Sequence, residues 1–156
     1  RYKMATYTDG IGFNKGTGAH TSSGTYKTGV LEVTLDFAKI TTDRAAAGAT
    51  ALGANDVIEA LSIPAKTMVL AVGLDVTTAE GGTLTIDVGD GSDVDGYLDG
   101  VNGNAAAGYA SDANPTTPVG FGHGKYYGSA DTIDIKTINA TDTAVMRLWA
   151  VVADCS

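Results

Sequence analysis

The segment DVGDGSDVDGYLDG, Asp87 to Gly100, sets Asp87, Asp90, Asp93, Asp95 and Asp99 among four glycines. Carboxylates packed this densely can ligate a hard cation, act as a catalytic acid pair, or shape turns. Calcium takes about six to eight oxygens, and glycine lets a chain wrap an ion, so Asp90, Asp93 and Asp95, with Ser92 between them, are the calcium candidates. The EF-hand pattern fails, however. With Gly96 at its sixth position, Gly91 falls at the first and Asn102 at the twelfth, where Asp and Glu are required. A glycosidase pair needs a sugar cleft with aromatic platforms, and Tyr97 alone does not make one. The turn reading is the better supported. Glycine supplies positive φ and aspartate bonds its own backbone, so GDGSD and VDGY read as successive tight turns set by Gly89, Gly91 and Gly96. Structural calcium stands as the second reading, and no other cofactor is indicated.

Other chemistry is excluded residue by residue, and no catalytic residue is assigned. The two histidines are His20, in a Gly/Thr/Ser-rich stretch, and His123, in GFGHGKYYG. Neither is held firmly enough to act as a base, and no G-x-S-x-G elbow supplies a nucleophile. Phosphate-binding glycine motifs are absent, and one Cys with two separated His does not make a zinc site. Cys155 has no partner for an internal disulfide, so an oxidising compartment is not implied. NAT at Asn139 matches a glycosylation sequon but is equally a good turn.

A net charge of −8 argues against nucleic acid as a partner and against anionic membranes. No run approaches the roughly twenty apolar residues of a membrane span. The opening RYKMATYTDG lacks the apolar run of a signal peptide and reads as an ordinary start at Met4 with extra residues ahead of it. Charged residues are scarce at 18%, while Gly, Thr, Ala and Val abound, a composition suited to strands joined by tight turns rather than to long helices.

The elements follow from periodicity. Residues 1–29 show none and form an extended N-terminal arm, either a loose tail or an ordered segment anchored through Tyr2, Tyr7, Phe13 and Tyr26. Residues 30–156 form the β domain. VLEVTLDFAKI alternates, with Leu31, Val33, Leu35 and Phe37 on one face. TTDRAAAG permits a short helix capped by Thr42 or Asp43. In DVIEALSI, Val57, Glu59, Leu61 and Ile63 share a parity. After a turn at Pro64, Met68, Leu70, Val72, Leu74 and Val76 share another, and the two segments read as a hairpin. Leu84, Ile86 and Val88 face inward in TLTIDVG, as do Ile133 and Ile135 in DTIDIKT.

The final strand, TAVMRLWAVVAD, is apolar on both faces. Ala144, Met146, Leu148, Ala150 and Val152 make one face; Val145, Trp149 and Val151 make the other, interrupted by Arg147. A sandwich buries one face of each sheet, so the second face must meet a loop or, in the favoured reading, another subunit. Val145, Trp149, Val151, Tyr7 and Phe13 are therefore the interface candidates, and Arg147 needs a carboxylate or a route to solvent. About eight strands linked by turns predict an all-β antiparallel sandwich, an eight-stranded jelly roll, with an immunoglobulin-like sandwich as runner-up.

Three stretches, DVIEALSIPAKTMVLAVGLDVTTAEGGTLTIDVGDGSDVDGYLDG, GKYYGSADTIDIKT and TDTAVMRLWAVVAD, together with MATYTDG, resemble small virion structural proteins of tailed bacteriophages of the cyanophage kind. The resemblance covers about residues 54–100 and 124–154. It implies a β-sandwich that decorates or cements the capsid, often as a trimer, with the major capsid protein as partner and the virion, assembled in the host cytoplasm, as location. It carries over no catalytic residue. The alternatives are a carbohydrate- or receptor-binding module of a tail or fibre, with Tyr97, Tyr109, Tyr126 and Tyr127 as sugar platform, and a small hydrolase.

Overall fold

The computed structural model describes residues 28–111, 120–121 and 124–156, together with the short strand at Thr6–Tyr7. The elements run β1 (Thr6–Tyr7), β2 (Thr28–Asp36), α1 (Phe37–Ala46), β3 (Asp56–Ile63), β4 (Thr67–Thr78), β5 (Thr85–Gly89), β6 (Leu98–Asn102), β7 (Ala107–Ala110), β8 (Lys125–Tyr127), β9 (Asp131–Thr137) and β10 (Val145–Asp154). One sheet, A, has the order β1-β3-β9-β5-β6; the other, B, has β2-β10-β4-β7, with β8 also on β4. β8 pairs with the start of β4 and β7 with its later half, so the two act as one interrupted strand. Counted that way from β2, the sheets read 1-8-3-6 and 2-7-4-5, the interleaving of two Greek keys in a jelly roll. Every pairing is antiparallel except that of β1, which adds in parallel to β3 at Val57 and Ile58.

The expected jelly roll is therefore present, and Leu31, Val33, Leu35, Leu84, Ile86, Val88, Ile133 and Ile135 all reach its core. The first sandwich strand starts at Thr28, inside the segment assigned to the arm. The arm's Tyr2, Phe13 and Tyr26, the side chain of Tyr7, and both His20 and His123 lie outside the described residues.

Several local expectations are corrected. The first strand ends at Asp36, whose carboxylate caps α1 by accepting from Lys39 N at 3.0 Å, so the cap is neither Thr42 nor Asp43. Phe37, Ile40 and Arg44 form the buried stripe of the helix, and Gly48 at φ +64 follows its end. β3 and β4 do not form a hairpin. Lys66 sits at φ +58 just after Pro64, and the chain crosses there from sheet A to sheet B. Parity also fails in both strands, because each carries a bulge. The β3–β9 register slips between Glu59 and Leu61, so Ile58, Leu61 and Ile63 face the core while Val57 and Glu59 do not. The β4–β10 register slips at Leu70. Val69 takes the inward place, Leu70 turns outward and Met68 is left half-buried.

Candidate functional site

The acidic segment links β5 to β6, and Asp90 is its anchor. Its side chain is fully buried. Oδ1 accepts from Ser92 N at 2.9 Å, Ser92 Oγ at 2.6 Å and Asp93 N at 3.1 Å. Oδ2 accepts from Tyr127 Oη at 2.8 Å and from the ammonium of Lys125. Tyr127 Oη lies 2.9 Å from Tyr97 Oη, and Lys125 Nζ also reaches Ser92 Oγ at 3.0 Å and stands 3.8 Å from the centre of the Phe121 ring. Burial pushes the Asp90 carboxyl up, but these donors outweigh it and hold its pKa at about 2. The same burial raises both tyrosines well above their usual value, so they remain neutral hydrogen-bonding groups.

Both oxygens of Asp90 thus accept hydrogen bonds within the chain, three of them from the loop's own Ser92 and Asp93. Asp93 and Asp95 share a hydrogen bond that raises the Asp93 carboxyl above its ordinary value. Among the described residues no group of three acidic, histidine or cysteine side chains is placed to hold a metal ion. Adding calcium to chelated protein is expected to leave the melting temperature within about one degree. A rise of many degrees would indicate a site that binds the native state by mass action.

The glycine roles differ from the expected ones. Gly89 and Gly96 are required for close approach rather than positive φ. A Cβ on Gly89 would stand 1.9 Å from Asp93 O, and one on Gly96 would stand 2.3 Å from the Phe121 ring. Gly91 faces open space. Tyr97 and Tyr127 are buried and Tyr109 packs against the core, which leaves Tyr126 as the one open member of the proposed sugar platform.

Glu80 carries a second saturated carboxylate. It accepts from Thr141 Oγ1 at 2.5 Å, Thr143 Oγ1 at 2.6 Å, and the backbone N–H groups of Asp142, Thr143 and Ala144 at 3.1–3.3 Å. Burial opposes ionisation here too, but the hydrogen bonds hold the pKa at about 2. A cavity of about 520 Å³ opens above it, lined by Thr41, Leu52, Gly82, Thr141 and Asp142 among others. The Asn139 side chain of the sequon accepts from Thr85 N at 3.2 Å, which ties that loop to the start of β5. Cys155 is exposed.

The interface candidates lie on the outer face of sheet B. β10 is flanked by β2 and β4, and its inward residues Ala144, Met146, Leu148, Ala150 and Val152 are fully buried. Val145, Trp149 and Val151 are half-buried on the other face. Trp149 lies on the backbone of β4: a Cβ on Gly73 would stand 2.1 Å from its ring, so only glycine fits there. Arg147 finds its carboxylates on both sides. It donates to Asp75 Oδ2 from Nη2 at 2.6 Å and from Nε at 3.1 Å, and Nη1 lies 3.8 Å from Glu32.

No family model matches the chain, and no curated protein matches it. Solved structures do. A chain of the acid-stable capsid of Helicobacter pylori bacteriophage KHP30 is similar over 83% of this chain and 89% of its own, at 14% identity and a TM-score of 0.57. A chain from the capsid of Ralstonia phage GP4 matches over 90% and 91%, at 16% identity and 0.57. One from the capsid asymmetric unit of cyanophage Pam1 matches over 88% and 92%, at 14% identity and 0.59. These likenesses show a shared fold.

Proposed function

We propose that this chain is a non-enzymatic structural protein of a phage virion, a decoration or cement protein that binds the outer surface of the head as an oligomer, with a separate major capsid protein as its partner. The observation that carries this reading is the likeness to three phage capsid chains over 83–90% of this chain and 89–92% of theirs. Because the alignments cover similar shares of both partners, the capsid chains are of nearly this chain's own length. Charge supports the outer surface. A protein of net charge −8 is repelled by the packaged polyanion and gains nothing from facing the head interior. The trimer implied by the sequence resemblance belongs to the same proposal.

Sedimentation of purified protein with empty heads tests it. The protein is expected to pellet with heads, saturably and at stoichiometric occupancy. If it stays in the supernatant while binding a glycan, the receptor-binding alternative replaces this one.

A further inference from the structure

We propose that the cavity beside Glu80 seats a basic side chain, an arginine projecting from the head surface on which this chain sits; this rests on the role proposed above and names its point of attachment. The cavity opens between α1, the turn after β4 and the turn before β10, and its volume is about 520 Å³. That lies within the ~300–1,000 Å³ of small-ligand sites. Its walls are tied together. Glu80 N donates to Gly103 O at 2.9 Å, and three consecutive N–H groups, of Asp142, Thr143 and Ala144, hold its carboxylate. Thr141, whose hydroxyl also donates to that carboxylate, is only 5% exposed.

Charge sets the sign of the guest. Every donor to Glu80 is a backbone N–H or a hydroxyl, so these bonds fix the carboxylate without cancelling its charge. They also keep it ionised down to about pH 2. Asp142 adds a second, exposed carboxylate to the lining. Among the described residues neither carboxylate has an ion-pair partner, and no Lys, Arg or His lines the cavity. An anion entering it would be repelled, whereas a cation supplies the missing countercharge.

The lining selects an organic cation over a metal ion. Glu80 Oε1 already accepts from Gly81 N and Thr143 Oγ1, and Oε2 from four further donors, which leaves little of either oxygen for the direct ligation a hard cation requires. A guanidinium needs no vacant ligand position. Its charge is spread over a plane of N–H donors, and the hydroxyl oxygens of Thr141 and Thr143 can accept from it while donating to Glu80. Ala51, Leu52 and Ala140 offer an apolar wall for the methylene stem of an arginine. Gly81 and Gly82 keep the rim open, since a Cβ on either would meet nothing within 4 Å. A protein surface is the source, because a chain at −8 docks most favourably where its partner is basic.

Two measurements test the site. In the first, Nα-acetyl-argininamide is titrated into purified protein and followed by amide NMR, with the uncharged citrulline analogue as control. The arginine compound is expected to give saturable shifts at Gly81, Gly82 and Thr143 that shrink with added salt, and the citrulline compound none. No saturable shift at these residues, or equal shifts from the two compounds, would overturn the proposal. The second is the head affinity of Asp142→Lys, which reverses a lining charge, and of Gly82→Trp, which fills the cavity from its open rim, each checked for an unchanged melting temperature. Both are expected to bind heads about tenfold more weakly or worse. Asp99→Lys, exposed on β6 outside the cavity, is expected to bind as wild type does. Full head affinity in both cavity variants would equally overturn the proposal. A wild type that binds the arginine compound but never pellets with heads counts against the role proposed above; one that pellets with heads without answering the arginine compound counts against this site alone.

Discussion

Replacing Asp90 by alanine is expected to cost about 3–5 kcal/mol, the range for breaking a buried ion pair by removing one partner. That is a large fraction of the roughly 5–15 kcal/mol that holds a domain folded. The loss goes beyond one contact. Lys125 keeps its charge with no carboxylate against it, Tyr127 Oη loses its carboxylate acceptor, the Ser92 N–H and Oγ lose theirs, and Asp93 N keeps only the Asp90 carbonyl. Urea unfolding at pH 7 measures the effect. Asp95→Ala, in the same loop but half-exposed, is expected to stay within about 1 kcal/mol, as surface substitutions do. Equal costs for the two variants would mean that Asp90 does not anchor the loop. The pH sign follows from its depressed pKa: this stability is present above the unfolded value near 3.8 and is lost as pH falls through about 2.

Asp134→Asn is expected to act in the opposite direction, stabilising the protein above neutral pH. Asp134 is 4% exposed on β9. Burial, with Glu59, Asp131 and Asp90 nearby, pushes its carboxyl up to about 7, against a hydrogen bond from Thr132 Oγ1 at 2.7 Å. A raised folded pKa means that stability is fully present below the unfolded value near 3.8 and is lost as pH rises to about 7. The shift corresponds to about 4 kcal/mol. The variant and wild type should therefore unfold alike at pH 4 and diverge up to pH 7, with the asparagine form the more stable beyond it. Parallel pH profiles would show that Asp134 is not held neutral in the fold. For Asp90, Glu80 and Asp134 taken together, stability is greatest at about pH 4.

The jelly roll was legible because its signals are local. Leu31, Val33 and Leu35 alternate without interruption, as do Ile133 and Ile135, and alternation needs no knowledge of the partner strand. Parity failed where a bulge intervened, at Ala60 and Leu70, since an extra residue leaves no compositional mark. The supposed β3–β4 hairpin failed because adjacency in sequence does not say which sheet a strand joins; the crossing at Lys66 does. In the acidic loop, the turn chemistry of Asp90 could be read from GDGSD. Its partners Lys125 and Tyr127 could not, being 35 and 37 residues away. Glu80 could not be singled out for the same reason, its partners lying 61 to 64 residues on. Arg147 was flagged as needing a carboxylate, and Asp75 answers it from the neighbouring strand.

The central claim is the place of this protein on a phage head. A difference map between particles that carry it and particles that lack it tests that claim directly. The account predicts density for this sandwich on the outer surface of the head, with copies related by a three-fold axis. Density confined to the tail, density inside the shell, or identical maps would contradict it.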